Sequence, residues 1–378
     1  MSATADPSAS TAFLTAIDGS GCWTWAGARL FADGRIDATQ RYADLSWDER
    51  RKRLSAQEAA WLSAQWRAPS AGSRFEVRFT TGAKSEKVMA AFLVRVLAAT
   101  PGEARRLAAE RLGLAAGPQG ALPSHVGSQP IDSEEELRRW LGYPAQVDGF
   151  VEVRKHLSAD RVARGGARLA HAVCHGFFDS GAPWDSWWRS FAALPFPALL
   201  SIGFDPYDAD TPAFRRVLQH RAAELEVLSQ PGVPSPLNPY RVPPDRAAQA
   251  ALPGYRRALA RYAGRAFNIR LALISAQAIP PMLAESLVRT VSSVNGAVRA
   301  VQVAPAELDY ATAEFRALGA PWLPATYQQN LPAQLDGLDQ LLHSLADVGE
   351  AASVLSLPLH WPGMPPVFGR DDGPLAEE

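Results

Sequence analysis

Apolar and polar residues change period repeatedly along this chain, and each change marks an element. Arg74-Phe75-Glu76-Val77-Arg78-Phe79 alternates strictly, the two-residue period of a strand with distinct faces. After a turn at Gly82, Val88 to Ala98 is more continuously apolar, which predicts a second, more buried strand. Pro101-Gly102-Glu103 then opens a helix through about Leu114, with proline where a first helical turn tolerates it. Upstream, Ser46 can cap a helix from Trp47 to about Trp66 whose first turn holds Asp48 and Glu49, with Leu54, Ala60, Trp61 and Leu62 as its apolar stripe. The stretch from Gly113 to Pro130 is rich in glycine and proline and reads as a loop.

Further on, Ser133 with Glu136 forms the two ends of a capping box for a short helix. Strands are predicted at Phe150 to Val153, within Leu169 to Phe178, and over Leu194 to Phe204. A Trp-rich helix with Trp184, Trp187 and Trp188 lies between the last two. Thr211-Pro212 begins a helix to about Leu228, and a second helical stretch, Asp245 to Ala263, is expected to be kinked or divided at Pro253-Gly254. Phe267 to Ile274 is a clear strand. Pro280-Pro281 starts a helix to about Val291, and Val298 to Val303 supplies another strand. Gln334 to Leu342 is helical, and Ala346 to Leu355 extends or repeats it.

The β-β-α and β-α-β orders are pieces of split ferredoxin-like units. The expected fold is therefore α+β: two ferredoxin-like split β-α-β halves with an added Trp-rich N-terminal helical segment. At 378 residues the chain is also too long for one typical core. The expected boundaries are a disordered tail over residues 1–20 and a first α+β domain over 21–230. A Pro-rich linker over 231–244, a second half over 245–357 and an extended Pro-rich, acidic tail over 358–378 complete the chain.

Composition narrows the function. Apolar residues make up 47% and charged residues 20%, as in ordinary globular proteins. The formal net charge of -1 provides no field to hold a polyanion, so free-standing nucleic-acid binding is not expected. Cys22 and Cys174 are the two cysteines, which excludes a disulfide framework and a multi-cysteine zinc site and suits a reducing compartment. Met1 to Thr11 lacks the basic and apolar regions of a secretory signal, and no apolar run approaches the roughly 20 residues that span a bilayer. A cytoplasmic protein that is not membrane-embedded is the expectation.

Catalytic patterns are sparse. Gly82-Ala83-Lys84-Ser85 lacks the upstream glycine of a phosphate loop and precedes a strand, and Gly165-Gly166 has no Lys-Ser or Lys-Thr after it. Cys174 and His175 could act as thiolate and base, and His171 adds a third soft ligand. On a strand, however, His171 and His175 share a face from which Cys174 points away. Asp205, Asp208 and Asp210 form an oxygen-rich cluster that also reads as turn chemistry before the helix capped by Thr211. Neither a cofactor nor a metal is expected.

Near the C-terminus, Leu338, Leu342 and Leu345 precede Val348-Gly349-Glu350-Ala351-Ala352-Ser353-Val354-Leu355-Ser356-Leu357-Pro358. This run resembles the segment between the N-terminal region and the motor core of HerA-like and conjugation-type (type IV secretion) hexameric ATPases. The patterns of Phe267 to Val303 and Leu194 to Phe204 resemble that N-terminal region, over about Phe75 to Phe368. The motor core would begin just after residues like Pro358 to Phe368, whereas this chain stops at Glu378. The resemblance thus implies a detached N-terminal module working beside a separately encoded motor.

The expected function is a non-enzymatic assembly or adaptor subunit that docks on a protein partner, for which a hexameric ATPase is the candidate. Pro358, Trp361 and Met364 are the expected contacts. The alternatives are a hydrolase or transferase of unfamiliar type using Cys174, His175 and Asp205, and a self-assembling homo-oligomer.

Overall fold

The computed structural model describes residues 11–33, 42, 44–66, 73–117, 122–164, 170–177, 184–209, 211–232, 242–262, 264–328, 331, 336–360 and 367–368. Strands β1 (Leu14–Asp18) and β2 (Gly21–Ala32) lead into helix α1 (Trp47–Gln65), followed by β3 (Arg74–Thr81), β4 (Met89–Ala98) and α2 (Pro101–Ala116). Next come β5 (Val126–Pro130), α3 (Glu134–Gly142), β6 (Gly149–Lys155) and the hairpin of β7 (Leu157–Arg161) and β8 (Ala170–Cys174). Then follow α4 (Asp185–Ala192), β9 (Ala198–Asp208), α5 (Pro212–Ser229), α6 (Arg246–Arg261), β10 (Arg265–Ser275), α7 (Pro281–Val291) and β11 (Val298–Gln302). The last described elements are α8 (Leu308–Arg316), α9 (Pro324–Tyr327), α10 (Gly337–Ser344), β12 (Leu345–Asp347) and α11 (Val348–Val354).

The architecture is α+β. Ten strands form one antiparallel sheet in the order β1-β2-β4-β3-β9-β10-β6-β11, with β5 also on β2 and β12 also on β10. Its centre is the β3–β9 pair, in which Phe75 lies opposite Phe204 and Phe79 opposite Leu200. The two-residue period sorts these strands' side chains onto two faces. Phe75, Val77, Phe79, Ile202, Phe204, Phe267 and Ile269 point to a large apolar core shared with α1, α2, α4, α7 and α11. Trp61 packs edge-on to Phe75 and Phe92, and Trp187 and Trp188 are also buried there.

The opposite face is partly charged. Glu76 Oε1 accepts from Arg270 Nη2 at 2.6 Å, and Glu76 Oε2 accepts from Arg78 Nε at 3.0 Å and Ser201 Oγ at 2.9 Å. Burial pushes the Glu76 carboxyl up, but Arg270, Arg78 and Arg74 outweigh it and hold it below its ordinary 4.5. The arginines then reach outward to backbone carbonyls at and beyond the ends of two helices. Arg78 donates to Trp140 and Leu141 at the end of α3 and to Phe315 in α8, and Arg270 donates to Gly319. Ala91, Leu93, Leu137 and Trp140 pack at one end of this face, and Phe150, Ile274, Phe315 and Tyr327 at the other.

Several expectations need correction. Residues 14–18 are a strand on β2, not part of a disordered tail, because β2 offers them a complete antiparallel ladder. The Trp-rich N-terminal segment is helical only from Trp47; Gly21–Ala32 is strand, with Trp23 and Trp25 opposite Leu97 and Arg95 of β4. Val126–Pro130, expected as loop, is β5, held by the free edge of β2 despite its glycine and proline. The C-terminal helix is broken at Leu345–Asp347, which pairs with β10 before Asp347 caps α11. Met1 to Ser10, Gly165, Gly166, Asp210, the centre of the Pro-rich linker and the acidic stretch Asp371 to Glu378 lie outside the described residues. Among the described residues no helix is long and apolar enough to cross a membrane.

Glu76→Gln removes the one negative charge shared by two arginines that are 0% and 1% exposed. The expected loss of stability is about 3–5 kcal/mol, measured by urea denaturation, because both guanidinium groups are left buried and uncompensated.

Candidate functional site

Cys174 ends β8, which packs in the two-stranded hairpin rather than in the main sheet. Its Sγ donates toward Leu342 O at 3.4 Å and lies 3.6 Å from His175 O. Burial pushes the thiol up to about 12, with Glu350 and Asp339 acting in the same direction against Lys155. A thiol so held stays protonated at neutral pH, the reverse of what a nucleophile needs. His175 stacks on His156, with ring centroids 6.1 Å apart, and burial and Arg257 lower its affinity for a proton. Asp205 sits on β9 and pairs with Arg74 on β3 at 3.3 Å. No hydrogen bond or ion pair among the described residues joins it to Cys174 or His175. Nor do the described residues contain a group of three His, Cys, Asp or Glu side chains able to hold a metal ion.

What does converge near Cys174 is a buried charge cluster. Lys155 Nζ, at the end of β6, donates to Tyr262 Oη at 2.6 Å, to Glu350 Oε2 at 3.1 Å and to Leu345 O. Tyr262 donates to the same Glu350 oxygen at 2.9 Å. Burial works against the lysine's charge, but Tyr262 and Glu350 raise its pKa above the ordinary value. Glu350 also closes a capping box with Asp347 at the start of α11, and Arg261 binds Asp347 at 2.6 and 2.8 Å. The Val348 to Pro358 run is thereby tied to β6 and α6 through its single acidic side chain.

Beyond α11 the chain crosses α1. Leu357 N donates to Glu58 Oε1 at 2.9 Å, and Pro358 is buried. Trp361 and Met364 lie outside the described residues. Val367 O then accepts from Val88 N at 2.9 Å, and Phe368 packs edge-on to Trp188 with centroids 5.3 Å apart. The described part of this tail is a strap over its own domain.

Between α1, α11 and the strap lies a cavity of about 150 Å³, lined among others by Leu54, Glu58, His125, Trp184, Trp188 and Leu357. Glu58 is half-buried, and burial lifts its carboxyl to about 8 although the Leu357 N–H pulls the other way. His125 is 3% exposed and burial pushes it down to about 4. Neither residue carried a signal in the sequence. Glu58 is one charged residue in a charged helix, and His125 stands alone in a stretch that reads as loop; only the fold brings them to one wall.

The Glu58 shift sets a pH dependence. Between 4.5 and about 8 the folded chain holds one proton more at this residue than the unfolded chain does. Its contribution to stability is therefore full below about pH 4.5 and is lost as pH rises through 8. Glu58→Gln keeps an acceptor for Leu357 and cannot ionise. Its melting temperature is expected to equal the parent's near pH 5 and to exceed it by roughly 2–4 °C at pH 8.5, read by circular dichroism. Cys174 is expected to resist iodoacetamide at pH 7.5 in the folded chain and to react on denaturation, scored by mass spectrometry.

No family model matches the chain, and no curated protein matches it.

Proposed function

We propose that this chain is a docking module, an assembly or adaptor subunit without chemistry of its own, whose partner is a hexameric translocase ATPase. The observation that carries the reading is the seating of the Val348 to Pro358 run. Its only charged side chain, Glu350, is fully buried against Lys155 and Tyr262, and its end is fastened to α1 by the Leu357–Glu58 bond. In the ATPases it resembles, this run joins the N-terminal region to the motor. A run anchored this firmly at the domain's core suits an element that passes load between the two. In this reading Trp361 and Met364 remain the proposed contacts, while Pro358 serves the strap.

The strand order supports two split ferredoxin-like halves. The series β2-α1-β3-β4-α2-β5 is arranged as β5-β2-β4-β3, and β6-α4-β9-β10-α7-β11 is arranged as β11-β6-β10-β9. Each half thus repeats one pattern, and their equivalent strands β3 and β9 join them edge to edge. The α5–α6 pair is inserted between β9 and β10 of the second half. A cytoplasmic site of action accords with the two free cysteines, one of them buried.

The test is capture of the tagged chain from its source cells, with mass spectrometry of the bound proteins and of the intact complex. A phosphate-loop ATPase in hexameric stoichiometry is expected, and it should be lost or strongly reduced with Phe368→Ala, which unfastens the strap from Trp188. A chain that runs alone as a monomer would sink the adaptor reading; a symmetric homo-oligomer without a partner would replace it with self-assembly.

A further inference from the structure

Strand β11 ends the sheet, and among the described residues no strand pairs with its far side. At the two ends of its ladder with β6, Ala297 O accepts from His156 N at 2.7 Å and Val303 N donates to Phe150 O at 2.9 Å. Such pairs recur at every second residue of an antiparallel ladder, so the N–H and C=O groups of Arg299 and Val301 also turn toward β6. Those of Val298, Ala300 and Gln302 turn outward, an open row of donors and acceptors. The register with β6 runs unbroken from Val298 to Gln302 and the strand holds no proline, so neither a bulge nor a missing donor spoils the edge.

Space and charge describe what fits there. Between α7 and β11 lies an open groove of about 850 Å³, bordered by Glu285, Val288, Arg289, Val294, Val298 and Ala300. Val294 is apolar yet 44% exposed. Val298 and Ala300 pack on the α7 side of the sheet, and the two-residue period puts Arg299 and Val301 on the other. Arg289 and Arg299 are exposed and neither forms an ion pair among the described residues, while Glu285 is the one carboxylate bordering the groove.

We propose that β11 is a docking edge that takes an extended acidic segment of a partner protein as a further strand of the sheet. Alternate apolar side chains of that segment enter the α7 groove and cover Val294, and the acidic ones meet Arg299 on the opposite face. A second copy of this chain is the poorer occupant. Paired about Ala300, two β11 strands set their Arg299 side chains diagonally across one face, roughly 7–8 Å apart, where like charges repel. The arginine thus discourages self-pairing and admits an acidic strand. The edge involves neither the strap nor Trp361 and Met364, so the proposal does not depend on the identity of the partner they meet.

The experiment is fluorescence anisotropy of the full chain with a fluorescein-labelled peptide, Thr-Val-Glu-Val-Glu-Val-Thr, which places valines on one face of a strand and glutamates on the other. A dissociation constant on the order of 100 μM is expected, with the peptide carrying lysine for glutamate about ten-fold weaker. Ala300→Pro removes an outward N–H and leaves the β6 ladder whole, as edge prolines do. Its melting temperature by circular dichroism should stay near the parent's while binding falls about ten-fold. Arg299→Glu, an exposed position, should reverse the preference between the two peptides and decides the matter if Ala300→Pro does not fold. No anisotropy change, equal binding of both peptides, or acidic-peptide binding that neither variant alters would each overturn the proposal. A dimer of the chain in sedimentation that Ala300→Pro dissociates would overturn it in favour of self-pairing.

Discussion

Glu76 is a carboxylate at the middle of a ten-stranded sheet, and the covering of one whole face depends on it. A charge placed there needs partners, and Arg78 and Arg270 supply them from its own strand and from β10. Each arginine has donors left over after meeting the carboxylate, and these end on carbonyls of Trp140, Leu141, Phe315 and Gly319. The termini of α3 and α8 are thereby set over the sheet by hydrogen bonds of charged groups, which are stronger and more directional than apolar contact alone. The other face needs no such device. Its phenylalanines are covered by helices whose apolar sides, Trp61, Trp187 and Trp188 among them, match them.

A second buried charge does comparable work at the C-terminal end. Lys155 lies among Tyr262, Leu345 O and Glu350, so three segments distant in sequence meet at one ammonium group. This arrangement sets where α11 begins, and with it the path of the strap toward α1 and Trp188. The cavity is a consequence of that path: α11 and the strap approach α1 closely at Leu357 and Glu58, and apolar side chains hold the remaining surfaces apart. Cys174, which shares this neighbourhood, is kept a protonated thiol by the same burial that makes the Lys155–Glu350 pair strong.

Much of the local structure was legible in the chain. Alternation marked β3, predominantly apolar runs marked β4 and β10, and the Ser46, Ser133 and Thr211 caps marked the starts of α1, α3 and α5. These signals are local, since a cap or a two-residue period acts through neighbours in sequence. Five strands escaped notice: β2 and β7, and also β1, β5 and β12, which have little pattern of their own and exist because a partner edge was free. The break between α10 and α11 has the same origin: three residues left the helix to complete a ladder on β10.

The sequence by itself determined the α+β class and most element positions, because periodicity and capping are properties of short segments. The tertiary structure alone decided that the strands form one sheet, that Glu76 and Lys155 are the charges that organise it, and that Glu58 and His125 share a cavity. Those outcomes depend on which distant segments become neighbours and on how far water is excluded from them. Burial turns an ordinary glutamate into an acid that titrates near 8 and an ordinary cysteine into an inert thiol, and no residue reports its own burial.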